Sequence, residues 1–206
     1  MGYRLDIRRP CLGQALPDSM AHHAGAVVFG GPQSANDDCT HDYIKQELDW
    51  IPRAVESGKP YLGLCLGGQM LARALGGRVF LHPEGKAEIG YYKLTPTASG
   101  RDIFEGLDHV YHWHREGFEA PAGTEILAEG AIFRHQAFRH GRHAYGLQFH
   151  CEVTNAMRRR WLRLAAHRLS MPGAQPRAAQ LEDQRRFEGA IRRWARRFLA
   201  KWISGG

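Results

Sequence analysis

Apolar residues follow two alternating patterns along the first part of the chain, one typical of strands and one typical of helices. Residues 3–8, 25–29 and 59–64 are short stretches that are apolar or that alternate apolar with polar positions, which predicts β-strands. Residues 42–58 carry apolar side chains at helical spacing and end at a glycine, which predicts an amphipathic helix. Residues 66–77 repeat this helical pattern directly after the third strand.

The rest of the chain is first rich in strand patterns and then helical. Further strands are predicted at 78–81, 88–95, 109–113, 125–130 and 143–149. Residues 152–169 and 184–203 have helical spacing, and a linker over 170–176 joins them. Strands that alternate with helices predict an α/β fold with three layers, α/β/α, around a mainly parallel central sheet.

Length and cysteine content limit the class of protein. With 206 residues, 43% of them hydrophobic, the chain can bury one core of ordinary size. Its apolar runs fall short of the roughly 20 residues that span a bilayer, and no signal-peptide core is visible. The cysteines lie far apart, at Cys11, Cys39, Cys65 and Cys151, which predicts reduced thiols and neither disulfides nor a metal. We therefore expect a soluble, cytoplasmic protein.

The net charge of +7 is concentrated at one end of the chain. Residues 1–150 hold 15 basic and 17 acidic side chains, whereas residues 151–206 hold 13 and 4. The basic helix at 184–203 also has an apolar stripe, formed by Phe187, Ile191, Trp194, Phe198 and Trp202. We expect a domain over 1–170, followed at 171–206 by a linker and a helix that packs on that domain. The alternative is a helix that docks on a partner or on a membrane surface. In the preferred interpretation, neither nucleic acid nor a membrane is a partner.

One cysteine stands where a strand passes into a helix. Cys65 follows the strand at 59–64, precedes the helix at 66–77, and is flanked by Gly63 and Gly67. This spacing favours a sharp turn that presents a nucleophile at the carboxyl end of the sheet. The amino terminus of the following helix also favours a thiolate. The alternative is a buried structural cysteine, the usual role of a cysteine in an apolar sequence.

A histidine and a carboxylate at another strand end supply what a thiol nucleophile needs, a base and a group that orients the base. The strand at 143–149 ends at His150, and Glu152 lies two residues on, at the same side of an extended chain. The imidazole could face the sulfur while the carboxylate holds its tautomer. A surface histidine at a strand end is the alternative.

A third strand end contributes glycines. Gly30 and Gly31 follow the strand at 25–29, and glycine lets the backbone approach a ligand closely. The N–H groups of Gly31 and of Leu66, which follows the cysteine, are candidates for an oxyanion hole. A glycine turn before proline is common, so this signal depends on the other two.

The segments around these residues resemble the class I glutamine amidotransferases of the triad type. The resemblance is carried by VVFGGPQSAND at 27–37, PYLGLCLGGQMLARALGG at 60–77 and YGLQFHCEVT at 145–154. Residues 87–95, 111–130 and 135–150 are similar to the stand-alone bacterial members called GMP synthase-like. The resemblance implies a flavodoxin-like fold in which Cys65 is the nucleophile, His150 the base and Glu152 the orienting acid. It also matches Gly31 and Leu66 to the oxyanion donors.

The implied reaction is hydrolysis of the glutamine side-chain amide. The thiolate attacks the amide, ammonia leaves, and water hydrolyses the γ-glutamyl thioester, without a metal or an organic cofactor. Gln69 matches a glutamine-contacting position, and Gly30 is a further candidate for substrate binding. Glu88 and His114 are candidates for recognising the α-amino and α-carboxylate groups, with ordinary strand-edge polar residues as the alternative.

The sequence departs from the family pattern at two places. Members usually begin with an additional central strand, whereas Met1 stands almost directly before the segment that resembles the second strand. We therefore expect the sheet to lack that strand, which favours a shortened start. Cys151 also replaces a proline of the family motif, which should leave the triad intact while placing a second thiol beside the base.

Three functions remain open. The first is a glutamine amidotransferase or glutaminase that delivers ammonia to a separate synthetase, since no nucleotide-binding loop is visible in the sequence. The second is a hydrolase of another γ-glutamyl amide with the same triad. The third is a catalytically weak binding or regulatory protein.

Overall fold

The structure, a computed structural model, describes residues 2–205. The expected domains begin at Met1 and end at Gly206, and these two residues lie outside the described part. Its strands are β1 (Ala26–Val28), β2 (Tyr61–Leu64), β3 (Arg78–Leu81), β4 (Glu88–Lys93), β5 (Thr95–Pro96), β6 (His109–His114), β7 (Glu116–Glu119), β8 (Glu125–Glu129), β9 (His135–His140) and β10 (Ala144–Leu147). Its helices are α1 (Asp42–Glu56), α2 (Leu66–Ala74), α3 (Asn155–Leu164) and α4 (Arg177–Ile203), with 3-10 turns at Pro10–Leu12, Asp37–Cys39 and Ala166–Ser170.

The central sheet has a parallel part and an antiparallel part. Its strand order is β1-β2-β10-β9-β8-β5. β1, β2 and β10 are parallel, with Val28, Gly63 and Gly146 in register, whereas β9, β8 and β5 add antiparallel strands. The predicted α/β fold around a central sheet is confirmed, with the parallel strands β1, β2 and β10 forming one half of that sheet. The register brings the carboxyl ends of three parallel strands to one edge, where ligand sites of such sheets lie.

Each face of the sheet is covered by its own hydrophobic cluster, because side chains alternate along a strand. Tyr61 packs with residues of α1 and α2 on one face, whereas Leu62 and Leu64 pack on the other. That second face is covered by residues of α3 and α4 and also by the ribbon that β4 forms with β6. The outer layer on this side is therefore not purely helical, and the ribbon reaches the same edge as the parallel strand ends.

The strands that the pattern did not predict are β5, β7 and β9. Only Arg115 separates β6 from β7, and it has the polar residues His114 and Glu116 on either side. The sequence pattern therefore does not mark where β6 ends and β7 begins. β9 begins and ends in histidine and therefore lacks the apolar character of a core strand at its ends. Each was missed because pairing with a distant strand, and not its own pattern, makes it a strand.

The predicted strand at 3–8 is wrong. Residues 3–8 pair with no strand in the described part of the chain, and Tyr3, Leu5 and Ile7 are exposed. Alternation alone does not make a strand, since the backbone groups need a neighbouring strand to bond with. The outer side of β1 likewise has no partner within residues 2–205, and Val27 and Phe29 are exposed there.

The basic helix α4 lies in the core of the fold. Ile191, Trp194, Phe198 and Trp202 of its apolar stripe are buried, while Phe187 is partly exposed. The Trp202 indole N–H donates to the Tyr61 carbonyl at the start of β2, at 3.2 Å. None of the helices within residues 2–205 combines the length and the hydropathy needed to cross a membrane.

Candidate active site

Cys65 occupies a strained turn between β2 and α2. Its φ is 50° and its ψ is −110°, and it is the only non-glycine residue with a positive φ within residues 2–205. The Cys65 N–H donates to the Leu147 carbonyl of β10 at 2.8 Å, which ties the turn to the neighbouring parallel strand. Such strain, of the order of 1–3 kcal/mol, is typical of functional sites. The side chain is 5% exposed and lies at the amino terminus of α2.

The glycines on either side of Cys65 are required by space. A Cβ on Gly63 would lie 2.3 Å from the Gly67 carbonyl oxygen, and one on Gly67 would lie 2.1 Å from the Val28 carbonyl oxygen. Both distances are shorter than any real contact of this kind, and the obstacles are backbone atoms that cannot move aside. The spacing read from the sequence therefore has a steric cause, which is the close packing of α2 against β1 and β2.

His150 and Glu152 lie just beyond the end of β10. The His150 Nδ1 is 2.7 Å from a carboxylate oxygen of Glu152, and the ring of His150 and the sulfur of Cys65 both lie against Gly30. The His150 backbone N–H donates to the Tyr111 carbonyl at 2.8 Å, and the Trp161 ring of α3 packs edge-on against the imidazole at 5.1 Å. The ring is therefore held from the sheet and from α3, between a sulfur and a carboxylate.

The charges of these groups favour a protonated imidazole. Burial alone would lower the pKa of His150, but the Glu152 carboxylate and the Cys65 sulfur raise it to about 10. Burial opposes ionisation of Glu152 as well, but the charge of His150 lowers the pKa of Glu152. An imidazolium beside a sulfur is the arrangement that stabilises a thiolate.

The glycines after β1 lie against this pair. A Cβ on Gly30 would lie 3.1 Å from His150 Cε1 and 3.7 Å from Cys65 Sγ, so a side chain there would press on both. Gly31 lies next to Leu66, since its Cβ would be 3.1 Å from the Leu66 Cδ2. The structure thus brings together Cys65, His150, Glu152, Gly30, Gly31 and Leu66, all predicted from the sequence.

A small cleft of about 30 Å³ opens beside the sulfur. It is lined by backbone and side chains of three strand ends and of the turn after β6. The lining residues include Cys65, Gly31, Leu66, Gln69, His114, Arg115, Glu116 and Arg168. Sequence reasoning did not single out Arg168, which lies on the 3-10 turn after α3 and more than 100 residues from Cys65. A guanidinium at the cleft is suited to bind a carboxylate.

Gln69 is buried one helical turn after Cys65. Its Nε2 donates to the Glu116 carbonyl at 2.7 Å and to the Gln148 Oε1 at 3.2 Å. Gln69 therefore lines the cleft, as its predicted role requires, but its amide N–H groups are engaged with the protein.

Glu88 lies behind the cleft wall and not on it. Its carboxylate accepts a hydrogen bond from Gln136 at 2.9 Å and lies 3.0 Å from His114 Nε2 and 3.7 Å from His112 Nδ1. Burial opposes ionisation, but the two imidazoles and the Gln136 amide lower the pKa of Glu88 to about 2. His114 lines the cleft, whereas Glu88 is 1% exposed and supports it from beneath.

The same cluster is the group of residues within 2–205 that could hold a metal ion. Donor atoms of Glu88, His112 and His114 all lie within 4.8 Å of one another. His112 and His114 share one side of β6, and Glu88 is directly opposite His114 on β4. His112 Nδ1 also lies 3.0 Å from His114 Nε2, so each of these three side chains has a hydrogen-bond partner within the cluster.

The cysteine that replaces the proline of the family motif is shielded. Cys151 is partly buried, and burial together with the Glu152 carboxylate raises the pKa of its thiol. Its thiol therefore stays protonated at neutral pH, unlike a reactive cysteine. Cys11 and Cys39 are free thiols on the surface.

The fold and the site define a class, an α/β domain whose reactive groups lie at the carboxyl ends of parallel strands. Comparison with known sequences places the chain within that class. The sequence model of the family described as glutamine amidotransferase class-I matches residues 13–167. The chain belongs to the class I glutamine amidotransferase family.

Individual relatives agree with this assignment. The glutamine amidotransferase-like protein YfeJ of Salmonella typhimurium is 34% identical over 161 residues, which are 74% of this chain and 66% of that protein. One of the subunits of the glutamine-hydrolysing GMP synthase of Methanocaldococcus jannaschii is 33% identical over 138 residues, or 64% of this chain and 65% of that protein. The matched region thus spans slightly less than two thirds of each relative.

Solved structures show the same fold over nearly the whole chain. A glutamine amidotransferase from Methylobacillus flagellatus superposes with a TM-score of 0.85 at 30% identity, covering 94% of this chain and 81% of that one. A glutamine amidotransferase from Thermotoga maritima gives a TM-score of 0.83 at 27% identity, covering 96% and 86%.

Proposed function

We propose that the chain hydrolyses the side-chain amide of glutamine with Cys65, His150 and Glu152, and releases ammonia for a separate acceptor. The convergence of the three groups carries the proposal. The Glu152 carboxylate lies 2.7 Å from His150 Nδ1, and the ring of His150 and the sulfur of Cys65 both lie against Gly30. Glu152 holds the ring in one orientation and stabilises its positive charge, so that the imidazolium supports attack by the sulfur of Cys65.

The reaction then follows in two halves. The thiolate attacks the amide carbon of glutamine, and the N–H groups of Gly31 and Leu66 stabilise the charge that develops on the oxygen. The His150 imidazolium gives its proton to the departing nitrogen, which leaves as ammonia with a γ-glutamyl thioester on Cys65. The neutral imidazole next takes a proton from water, whose oxygen attacks the thioester and releases glutamate.

Substrate recognition is assigned to the cleft wall. Arg115 and Arg168 line the cleft and suit the α-carboxylate, while Glu116 and His114 lie on the same wall. Glu88 is reassigned from a direct contact to a support for His114, because 1% exposure keeps it away from substrate.

Delivery of ammonia to a separate acceptor is supported by one of the relatives. The relative from Methanocaldococcus jannaschii is itself named as one of the subunits of a GMP synthase.

Ammonia release from L-glutamine by the purified protein tests the proposal. We expect Cys65→Ala to abolish release, while Cys151→Ala, which removes the neighbouring thiol, retains it. A glutamine-mimicking electrophile should label Cys65, as mapped by peptide mass spectrometry. Labelling of Cys11, Cys39 or Cys151 in place of Cys65 would contradict the proposal. If the protein hydrolyses only substituted γ-glutamyl amides, those compounds and not glutamine are its substrates. If a folded protein hydrolyses neither kind of compound, a binding role is indicated.

A further inference from the structure

A buried run of hydrogen bonds leads to the sulfur of Cys65 and ends in a side chain to which the reaction above assigns no role. Gln148 follows β10 directly and has no exposed surface. Its Nε2 lies 3.9 Å from the sulfur of Cys65, within reach of an N–H···S hydrogen bond. Among residues 2–205, the sulfur of Cys65 is the acceptor that lies within hydrogen-bond reach of Gln148 Nε2. A buried amide N–H without any acceptor would be destabilising, so the contact has to be explained.

The orientation of the Gln148 amide follows from its neighbours. A carbonyl oxygen can only accept, so the Gln69 atom that lies 2.7 Å from the Glu116 carbonyl must be the amide nitrogen. The second hydrogen of that nitrogen points to Gln148 at 3.2 Å and needs an oxygen there. Oε1 of Gln148 therefore faces Gln69. The NH2 group of Gln148 is left facing the sulfur, because a flipped amide would place two NH2 groups together.

The carbonyl of Glu116 is itself held in place. The Glu116 oxygen also accepts a hydrogen bond from His114 Nδ1 at 2.8 Å, and His114 Nε2 lies 3.0 Å from the buried Glu88 carboxylate. The run thus extends from Glu88 through the cleft wall and Gln69 to Gln148. Glu88, His114, Gln69 and Gln148 are buried and Glu116 is partly buried, so solvent competes little with the hydrogen bonds that orient the last amide.

We propose that Gln148 is a further catalytic residue, whose side-chain amide donates a hydrogen bond to the Cys65 thiolate in an orientation set by Gln69. This inference deepens the proposed function, on which it rests, since it assigns a second partner to the nucleophile of that reaction. The donor stabilises the charged sulfur before attack, and the bond weakens as the charge passes to the carbonyl oxygen. Hydrogen bonds to a charged group favour the charged form.

Other charged and titratable groups also face the sulfur and must be separated from this effect. The ring of His150 lies with the sulfur against Gly30, Glu152 lies behind that ring, and the cleft wall adds His114, Arg115, Glu116 and Arg168. A substitution at Gln148 leaves all of these in place. Any change in the pH dependence of Cys65 reactivity is therefore assigned to the amide.

The test measures alkylation of Cys65 by iodoacetamide as a function of pH, with the modified peptide quantified by mass spectrometry. In Gln148→Met we expect the half-maximal pH of alkylation to rise by about one unit, the size expected for loss of a hydrogen bond to a charged group. Glutaminase activity at pH 7 should fall about tenfold and recover at higher pH. The matched control is Gln180→Met, which removes an equally buried amide that bonds Tyr111 and Gln175 away from the sulfur, and which should leave the profile unchanged.

The readout is independent of glutamine turnover, so a protein without glutaminase activity still reports on Gln148. A Gln148→Met profile that coincides with that of the unaltered protein, in a variant with a normal circular dichroism spectrum, overturns the proposal. If that variant does not fold, Gln148→Glu keeps the size of the side chain and replaces the donor by an acceptor, which should raise the half-maximal pH further. In the unaltered protein, the side-chain N–H resonances of Gln148 should shift with the ionisation of Cys65, and resonances that do not respond would also overturn the proposal.

Discussion

Two pairings of histidine with a carboxylate lie within one domain and behave in opposite ways. At the end of β10, Glu152 and the Cys65 sulfur raise the pKa of His150 to about 10, although burial opposes them. In the β4–β6 ribbon, burial lowers the pKa of His112 to about 3, although Glu88 acts in the other direction. Both histidines are almost completely buried. Burial alone therefore does not determine the charge of a histidine here.

The difference comes from the groups that surround each ring. The Glu152 carboxylate and the Cys65 sulfur both raise the pKa of His150, and Glu152 is 21% exposed, so part of its charge is still solvated. Glu88 is 1% exposed, and its carboxylate lies 3.7 Å from His112 Nδ1 and 3.0 Å from His114 Nε2. At His112 the cost of burying a charge exceeds the attraction of this single carboxylate. In the proposed function, the first pairing serves the reaction and the second supports the cleft wall.

The largest effect is expected when each of the two histidines is replaced in turn by asparagine. We expect His150→Asn to lower kcat by about 10³-fold or more, because the proton donor to ammonia is lost. His112→Asn should lower kcat less than tenfold and reduce the free energy of unfolding by about 2 kcal/mol, through loss of a buried hydrogen-bonded group. Steady-state ammonia release and urea unfolding of both variants measure these effects. Equal losses of kcat would remove the distinction between the two pairings.

The carboxylates form the second matched pair. Glu152→Gln should lower kcat by about 10²-fold or more, since the amide no longer stabilises the imidazolium, and should also reduce the free energy of unfolding by about 3 kcal/mol, because a buried charge loses its partner. Glu88→Gln should mainly reduce that free energy, by about 2–3 kcal/mol, and raise KM through His114. The same two assays separate the outcomes. A large fall in kcat with unchanged stability in Glu88→Gln would place Glu88 in the chemistry.

A change of stability with pH tests the pKa shift of His150 without any measurement of turnover. The pKa of His150 in the folded protein, about 10, lies above its ordinary value of 6.5, so its protonation stabilises the fold. That contribution is fully present below pH 6.5 and is lost as the pH rises towards 10. The free energy of unfolding of the unaltered protein should therefore fall relative to that of His150→Asn between pH 6.5 and 10. Parallel pH profiles of the two proteins would contradict the pKa shift of His150.

The parts of the fold that were predictable from the sequence are those with local causes. The turn at Cys65 was visible because the glycines around it are required by backbone contacts, and His150 with Glu152 was visible because strand ends are marked by a change of pattern. The parallel centre followed from the alternation of strands and helices. In contrast, residues 3–8 alternate like a strand but have no pairing partner in the described chain, and this cannot be read locally.

The residues that were missed act over long sequence separations. Gln148 contacts Cys65 across 83 positions, and Arg168 joins the cleft from a 3-10 turn that has no chemical signature of its own. Glu88 was singled out, but its place behind the cleft depends on the register of β4 with β6, which sets it opposite His114. Register and distant packing are properties of the folded chain and not of any short segment.

The positive φ of Cys65 has a consequence for the evolution and engineering of this domain. Glycine adopts such a backbone conformation freely, so Cys65→Gly would relieve the local strain and favour a higher melting temperature, but it would also remove the proposed nucleophile. Thermal robustness and turnover thus make opposing demands on a single residue. A screen of variants for heat resistance alone would drift towards inert proteins at this position.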